Sequence, residues 1–195
     1  MPRTLSLLAL IALLAPGAAQ AAGTNGLQNP DFDADLSHWS FDVTTGTGTF
    51  AGPGQAQDAN GCPNSGSVSI AGVSVGASFV AAVIQCVPNP GGLLTAKFRA
   101  KVVSGTNVRG NFLFNDCSTL LSHGGGSDVP LASTGWTDVV HEGFTGGGST
   151  SEQVSFVAVS SSGPFTVLID RAFVGRFKEL FADGFEIGST CRWNP

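Results

Sequence analysis

Short runs of alternating polar and apolar residues, cut by glycine, proline and asparagine, constrain this chain more than any other feature. In Lys97-Phe98-Arg99-Ala100-Lys101-Val102 every second residue is apolar. That is the pattern of a strand with one face in a core and the other in water. Val154, Phe156 and Ala158 alternate in the same way with Gln153, Ser155 and Val157. Strands are expected over Gly48 to Ala51, Ser67 to Ile70, Ser78 to Val87, Leu93 to Val103, Val108 to Phe114, Thr134 to His141, Glu152 to Val159 and Phe165 to Gly175. Between them fall Gly52-Pro53-Gly54, Asn60-Gly61-Cys62-Pro63-Asn64, Pro88-Asn89-Pro90-Gly91-Gly92, Gly124-Gly125-Gly126 and Gly146-Gly147-Gly148. These are turn formers, because Gly supplies positive φ and Pro cannot continue a ladder. Many short strands with regular turns read as an all-β, two-sheet sandwich or jelly roll.

Composition closes the helical alternatives. The chain holds 27 Gly, 1 Met and no Tyr, and only 12% of its residues are charged, against about 25% in an average soluble domain. Helix formers are scarce, which excludes bundles and coiled coils. The net charge is −5, with 9 Lys plus Arg in the whole sequence. Read along the chain these cations form no cluster, so the footprint of a nucleic-acid binder is missing. Nor is there a basic segment for an anionic membrane surface.

The first residues read as a targeting segment. Arg3 gives a positive start, Leu5 to Ala15 is almost wholly apolar, Pro16-Gly17 breaks the run, and Ala19-Gln20-Ala21 fits a small-x-small cleavage rule. Residues 1–21 are therefore expected to be a cleaved secretory signal peptide, the apolar run being too short for a spanning helix and no membrane insertion being expected. Export to the periplasm or beyond sets an oxidising context. The 4 Cys, at 62, 86, 117 and 191, then suggest two disulfides. Their wide spacing does not resemble a zinc site. A hairpin of the strands at 93–103 and 108–114 would return Cys117 to the end where Cys86 leaves its strand, so Cys86–Cys117 is the expected bridge. Cys62 with Cys191 is the leftover pairing.

Five motifs resemble a known family in their order and spacing. Asn29-Pro30-Asp31-Phe32-Asp33 followed by Trp39 resembles the opening of carbohydrate-binding modules of the galactose-binding-like jelly-roll type. Val167-Leu168-Ile169-Asp170-Arg171-Ala172-Phe173-Val174 resembles the family's last strand, with Arg171 where a second Asp is usual. Asn60 to Ser67, Gln85-Cys86-Val87 and Thr134-Gly135-Trp136-Thr137 resemble intermediate stretches of bacterial members. The likeness covers residues 25–175. It implies a secreted, non-catalytic module that binds a polysaccharide or cell-surface glycan. It also implies a structural calcium between Asp33 of the first strand and Asp170 of the last, with carbonyl oxygens completing the shell. Residues 176–195 are a tail whose Phe181-Ala182-Asp183-Gly184-Phe185-Glu186 resembles a terminal motif of secreted bacterial proteins.

A sugar site needs an exposed ring beside groups that orient hydroxyls. The resemblance puts Trp39 and Trp136 in the core, and Phe79, Phe98, Phe112 and Phe156 sit at apolar strand positions. Phe50, Phe114 and Phe144 are the candidate exposed rings. Phe114-Asn115-Asp116 and His141-Glu142-Gly143-Phe144 place polar groups beside a ring, so Phe114, Asn115, Asp116 and Phe144 are the candidate ligand-binding residues. The alternative is a structural or adhesive sandwich with no sugar site. A hydrolase comes third. Gly72-Val73-Ser74-Val75-Gly76 matches a nucleophile elbow, with Asp138 and His141 following in order, but the required βαβ alternation is missing. Asp31, Asp33, Asp35 and Asp42 mimic an EF-hand spacing, yet Leu36 stands where that loop needs Gly. Asp116, Asp138, Glu142 and Glu152 are acids that no motif ties into a catalytic pair.

Overall fold

The computed structural model describes residues 25–32, 35–52, 58–59, 66–73, 79–89, 92–120, 122–144, 150–160 and 163–175. The signal segment, Asp33, Cys62, Ser74, Cys191 and the tail lie outside the described residues. All regular structure among the described residues is strand: β1 (Ser40–Thr45), β2 (Thr47–Ala51), β3 (Val68–Val73), β4 (Phe79–Pro88), β5 (Leu94–Ser104), β6 (Val108–Asp116), β7 (Ser122–Gly125), β8 (Val129–Pro130), β9 (Thr137–Phe144), β10 (Ser151–Ser160) and β11 (Pro164–Gly175). One sheet runs β1-β4-β10-β6-β7, with β8 also on β6; the other runs β2-β3-β11-β5-β9. The strand pairs within each sheet are antiparallel. This is the expected two-sheet β-sandwich of jelly-roll type.

The alternation predicted for β5 is the alternation observed: Leu94, Ala96, Phe98, Ala100 and Val102 are buried, while Thr95, Lys97, Arg99 and Lys101 are half-buried. On β6, Val108, Gly110, Phe112, Phe114 and Asp116 point inward. Rings fill the space between the sheets. Phe98 meets Phe112 edge-on at 4.9 Å and Phe156 at 5.2 Å, and Trp39 lies 4.9 Å from Phe32 and 5.5 Å from Phe156. Such tilted contacts each add about 0.5–1.5 kcal/mol beyond area burial. Trp39 is a core residue as expected, and its indole Nε1–H donates to the Asn29 carbonyl at 2.9 Å. Gly110 lets the sheets approach, since a Cβ there would stand 2.8 Å from Val139 Cγ2.

The N-terminal segment binds the last strand. Gly26 N–H donates to Val174 O at 2.7 Å, and Ala172 N–H donates to Pro30 O at 2.9 Å. The second bond falls at the irregularity between Asp170 and Phe173, where Arg171 takes a φ of 53°. Gln85 ties the same segment from the other sheet, exchanging two hydrogen bonds with the Gln28 backbone.

Two expectations change here. β5 and β6 do not form a hairpin; they lie in different sheets. The Cys86–Cys117 disulfide is nevertheless present, with Cα atoms 5.9 Å apart. Cys86 and Asn115 are both register partners of Gln153. The bridge therefore joins β4 to the turn after β6 across the strand between them. Trp136, expected in the core, is only half-buried just ahead of β9.

Candidate functional site

At one end of the sandwich, the inner face of the six-stranded sheet carries charge. Glu152 on β10 has Asp116 on β6 as its register partner. Phe114 is buried at 1% exposure, and its ring stacks on Phe112 and on His141. It therefore offers no face to a sugar, and the reading of Phe114 as an exposed ring is corrected. Parity held the signal: Phe112 and Phe114 are two residues apart, so a core Phe112 puts Phe114 inside. Phe50 is half-buried and stacks on Phe41 at 5.4 Å. Phe144 ends β9, but its side chain lies outside the described residues.

Asp116 shapes the turn that follows it. Its Oδ1 accepts from the backbone N–H and hydroxyl of both Ser118 and Thr119. The Ser118 hydroxyl, followed by the two backbone donors, holds its carboxyl well below the usual carboxylate range. Glu152 is 0% exposed. His123 of β7 sets Nδ1 3.0 Å from both of its carboxylate oxygens. Burial pushes the Glu152 carboxyl up, against the pull of His123, and the neighbouring Asp116 charge pushes the same way as burial. The structure thus brings Asp116 and Glu152 together as paired carboxylates. Glu152 is sealed from solvent, and Asp116 commits its Oδ1 to the turn.

Asn115 points the other way. On the outer side of the same sheet its Nδ2 donates to Gln153 Oε1 at 3.0 Å. This fixes both amides and leaves Asn115 Oδ1 and Gln153 Nε2 directed by the pair. Further along β10, Ser155 and Val157 lie on this outer side yet are buried. Of their register partners, Ile84 on β4 and Leu113 and Asn111 on β6 stand higher, half-buried or exposed, while Ala82 opposite Val157 on β4 is buried with it. The result is a shallow trough floored by Ser155, Val157 and Ala82, with Ile84 and Leu113 beside it and amides along one side. Asn111 closes its far part, donating to Asp128 Oδ1 at 2.6 Å, with Arg109 3.3 Å from Asp128 Oδ2. The disulfide caps the near end beside Gln153.

A second buried carboxyl sits on β11. Asp170 accepts the Ala59 N–H at 2.8 Å on one oxygen and the Arg171 N–H at 2.7 Å on the other. It is 0% exposed. Burial first, and then the charges of Asp58 and Asp31, push it up to about 8 against those two hydrogen bonds. A buried carboxyl flanked by two further acids is a group that a hard cation could neutralise. Asp33, the expected partner of Asp170, is outside the described residues, and no three potential metal ligands cluster among those described.

Set against solved structures, this fold is that of the β-sandwich carbohydrate-binding modules. TmCBM61 in complex with β-1,4-galactotriose aligns with a TM-score of 0.55 and 15% identity, covering 79% of this chain and 99% of that one. The CBM22-1 xylan-binding domain from Paenibacillus barcinonensis aligns at 0.57 and 12% identity, over 79% and 95% of the two chains. A family 11 module of a Clostridium thermocellum cellulosomal cellulase aligns at 0.53 and 9% identity, over 82% and 98%. Some matches are parts of larger enzymes: the chain spans 26% of an arabinose-bound α-L-arabinofuranosidase. No protein-family model matches the chain, and no curated protein matches it in sequence.

Proposed function

We propose that this protein is a secreted, non-catalytic module that binds a polysaccharide weakly in the trough on the outer side of β4, β10 and β6. The observation that carries the reading is the Asn115–Gln153 amide pair held beside the buried floor of Ser155 and Val157. A sugar needs a flat apolar rest and fixed hydroxyl partners, and Ile84, Val157 and Leu113 supply the first while the amides supply the second. The likeness to modules solved with bound sugars supports it. Without a described ring in the trough, a few hydroxyl hydrogen bonds leave a dissociation constant of roughly millimolar order after association costs. The signal-like start and the disulfide support an exported location. The sealed Glu152 and the engaged Asp116 support a module without hydrolysis.

Calcium is part of the same proposal. Asp170 would hold it, with Asp33 and backbone carbonyls, and the ion would neutralise a buried acid flanked by Asp31 and Asp58. A second reading, a structural or adhesive sandwich, is favoured by the burial of Phe114 and Trp39. Affinity electrophoresis against several polysaccharides separates the two. Binding retards the protein in at least one gel, and Asn115→Ala with Gln153→Ala removes the retardation. If no polysaccharide retards it, the structural reading takes over; if reducing sugar is released, the protein is an enzyme.

A further inference from the structure

One side chain anchors β7 to the core. The strand is the outer edge of its sheet, with β6 as its neighbour. Ser122 is exposed, Gly124 and Gly125 carry no side chain, and Leu120 just ahead is 64% exposed. His123 is different. It falls where the register with β6 shifts, between the partners Asn115–Ser122 and Phe114–Gly124, and such a bulge re-aims a side chain. Its side chain is 8% exposed, and Nδ1 lies 3.0 Å from both oxygens of the sealed Glu152. Among the described residues, no other group pairs with that carboxyl.

The surroundings decide which charge states the pair can hold. β6 contributes Asp116, whose carboxyl is held low by its turn and stays ionised across the neutral range. β4 contributes Val87. The facing sheet turns Leu94, Ala96 and Val174 inward at this end. β9 contributes His141, whose ring lies on Phe114, while Glu142 is exposed. A carboxylate sealed among these groups, beside a second carboxylate, needs a proton on itself or on its imidazole partner. With β7 lifted, both groups meet water. The carboxyl is then ionised at neutral pH, and an imidazole in water releases its proton near about pH 6.5. Above that pH, opening therefore sheds one proton and becomes easier as pH rises. The upward push of burial on the Glu152 carboxyl has the same sign.

We propose that β7 is a proton-held strap: the His123–Glu152 pair keeps it closed on the sheet edge at neutral and mildly acidic pH, and loss of the pair's proton releases it at alkaline pH. Release uncovers the edge of β6 from Phe112 to Asn115. It also opens the side of the ring stack of Phe112, Phe114 and His141, which Gly126 closes: a Cβ at Gly126 would stand 3.5 Å from both Phe112 Cδ2 and His141 Nδ1. The device does not depend on sugar binding in the trough.

Amide hydrogen exchange tests it residue by residue. Gly126 N–H donates to Phe112 O at 3.0 Å and reports the strap; Leu131 N–H donates to Val108 O at 3.0 Å and reports the other end of β6. Protection is measured by NMR between about pH 6 and pH 9, relative to the unfolded-chain exchange rate at each pH. At Gly126 it should fall about tenfold per pH unit above about pH 7, the slope of one released proton, while at Leu131 it stays level. Glu152→Gln, which leaves no carboxylate to neutralise, should make Gly126 protection independent of pH. His123→Gln, which takes away the proton's second holder, should lower Gly126 protection already at pH 6. His141→Phe should leave the fall in place. Level Gly126 protection in the unmodified protein overturns the inference, as does a fall shared equally by Leu131. So does a fall that survives Glu152→Gln, one that vanishes in His141→Phe, or His123→Gln protection equal to that of the unmodified protein at pH 6.

Discussion

Glu152 and Asp170 are both shut off from water, and the fold neutralises them in different ways. Glu152 is matched by a side chain of its own protein, His123, at 3.0 Å. Among the described residues Asp170 receives two backbone N–H groups and has two other acids for neighbours. The first carboxyl is complete within the chain. The second has no described side chain as its partner, and a cation there is the proposal made above. A buried acid is thus no single kind of feature: its partners decide whether it is a structural element or a site.

The largest expected effect comes from breaking the complete one. Glu152→Ala removes one partner of a buried pair, which typically costs about 3–5 kcal/mol. Urea unfolding should show it as a lower midpoint with an unchanged slope. A change below about 1 kcal/mol would mean that the pair is not held as the structure shows.

Next in size is the disulfide that caps the same end. Replacing Cys86 and Cys117 by Ser should cost about 3 to 4 kcal/mol, the chain-entropy value for a loop of this length. Thermal unfolding with and without reductant checks it, and insensitivity to reductant would remove the bridge from the account.

Asp170 sharpens the contrast through pH. Its folded value of about 8 lies above its ordinary 3.8, so the folded state holds a proton that the unfolded state has released. In chelator-treated protein, stability should therefore fall as pH rises from about 4 to about 8. Asp58, Asp31, Arg99 and Arg171 are the charged groups around it. Calcium, taking the proton's place, should restore more stability at pH 8 than at pH 5. Asp170→Ala should abolish that calcium response. A calcium effect that is equal at both pH values, or absent, would count against a cation at Asp170.

The smallest effect belongs to the exposed ion pairs. Asp138→Ala should change stability by no more than about 1 kcal/mol, because it is open to solvent and screened. A larger loss would show that the Lys97–Asp138–Arg99 row is structural.

The strands were legible where alternation was strong, as in β5, β6 and β10. β1 (Ser-Phe-Asp-Val-Thr-Thr), β7 (Ser-His-Gly-Gly) and β8 (Val-Pro) were not, because edge strands with few apolar residues read as turn. Alternation says that a strand has an inner face, not which sheet it joins. That is why the run Val108 to Phe114 was expected to pair with the strand before it, whereas β6 lies in the other sheet. Residue pairing also limited the site. His123 and Glu152 are 29 positions apart, and no local spacing announces their meeting. Asn115 was found through its ring neighbour Phe114, although the side chain that orients it is Gln153. Trp136 was assigned to the core by likeness, and it stands half-buried ahead of β9.

The most direct test of a sugar-binding trough is to map it by backbone amide shifts in an isotope-labelled sample titrated with a retarding polysaccharide fragment. The expected result is a set of shifts confined to the outer side of β4, β6 and β10, centred on Asn115 and Gln153 and lost in the double variant. Shifts confined to another surface, or none at saturating sugar, would contradict it.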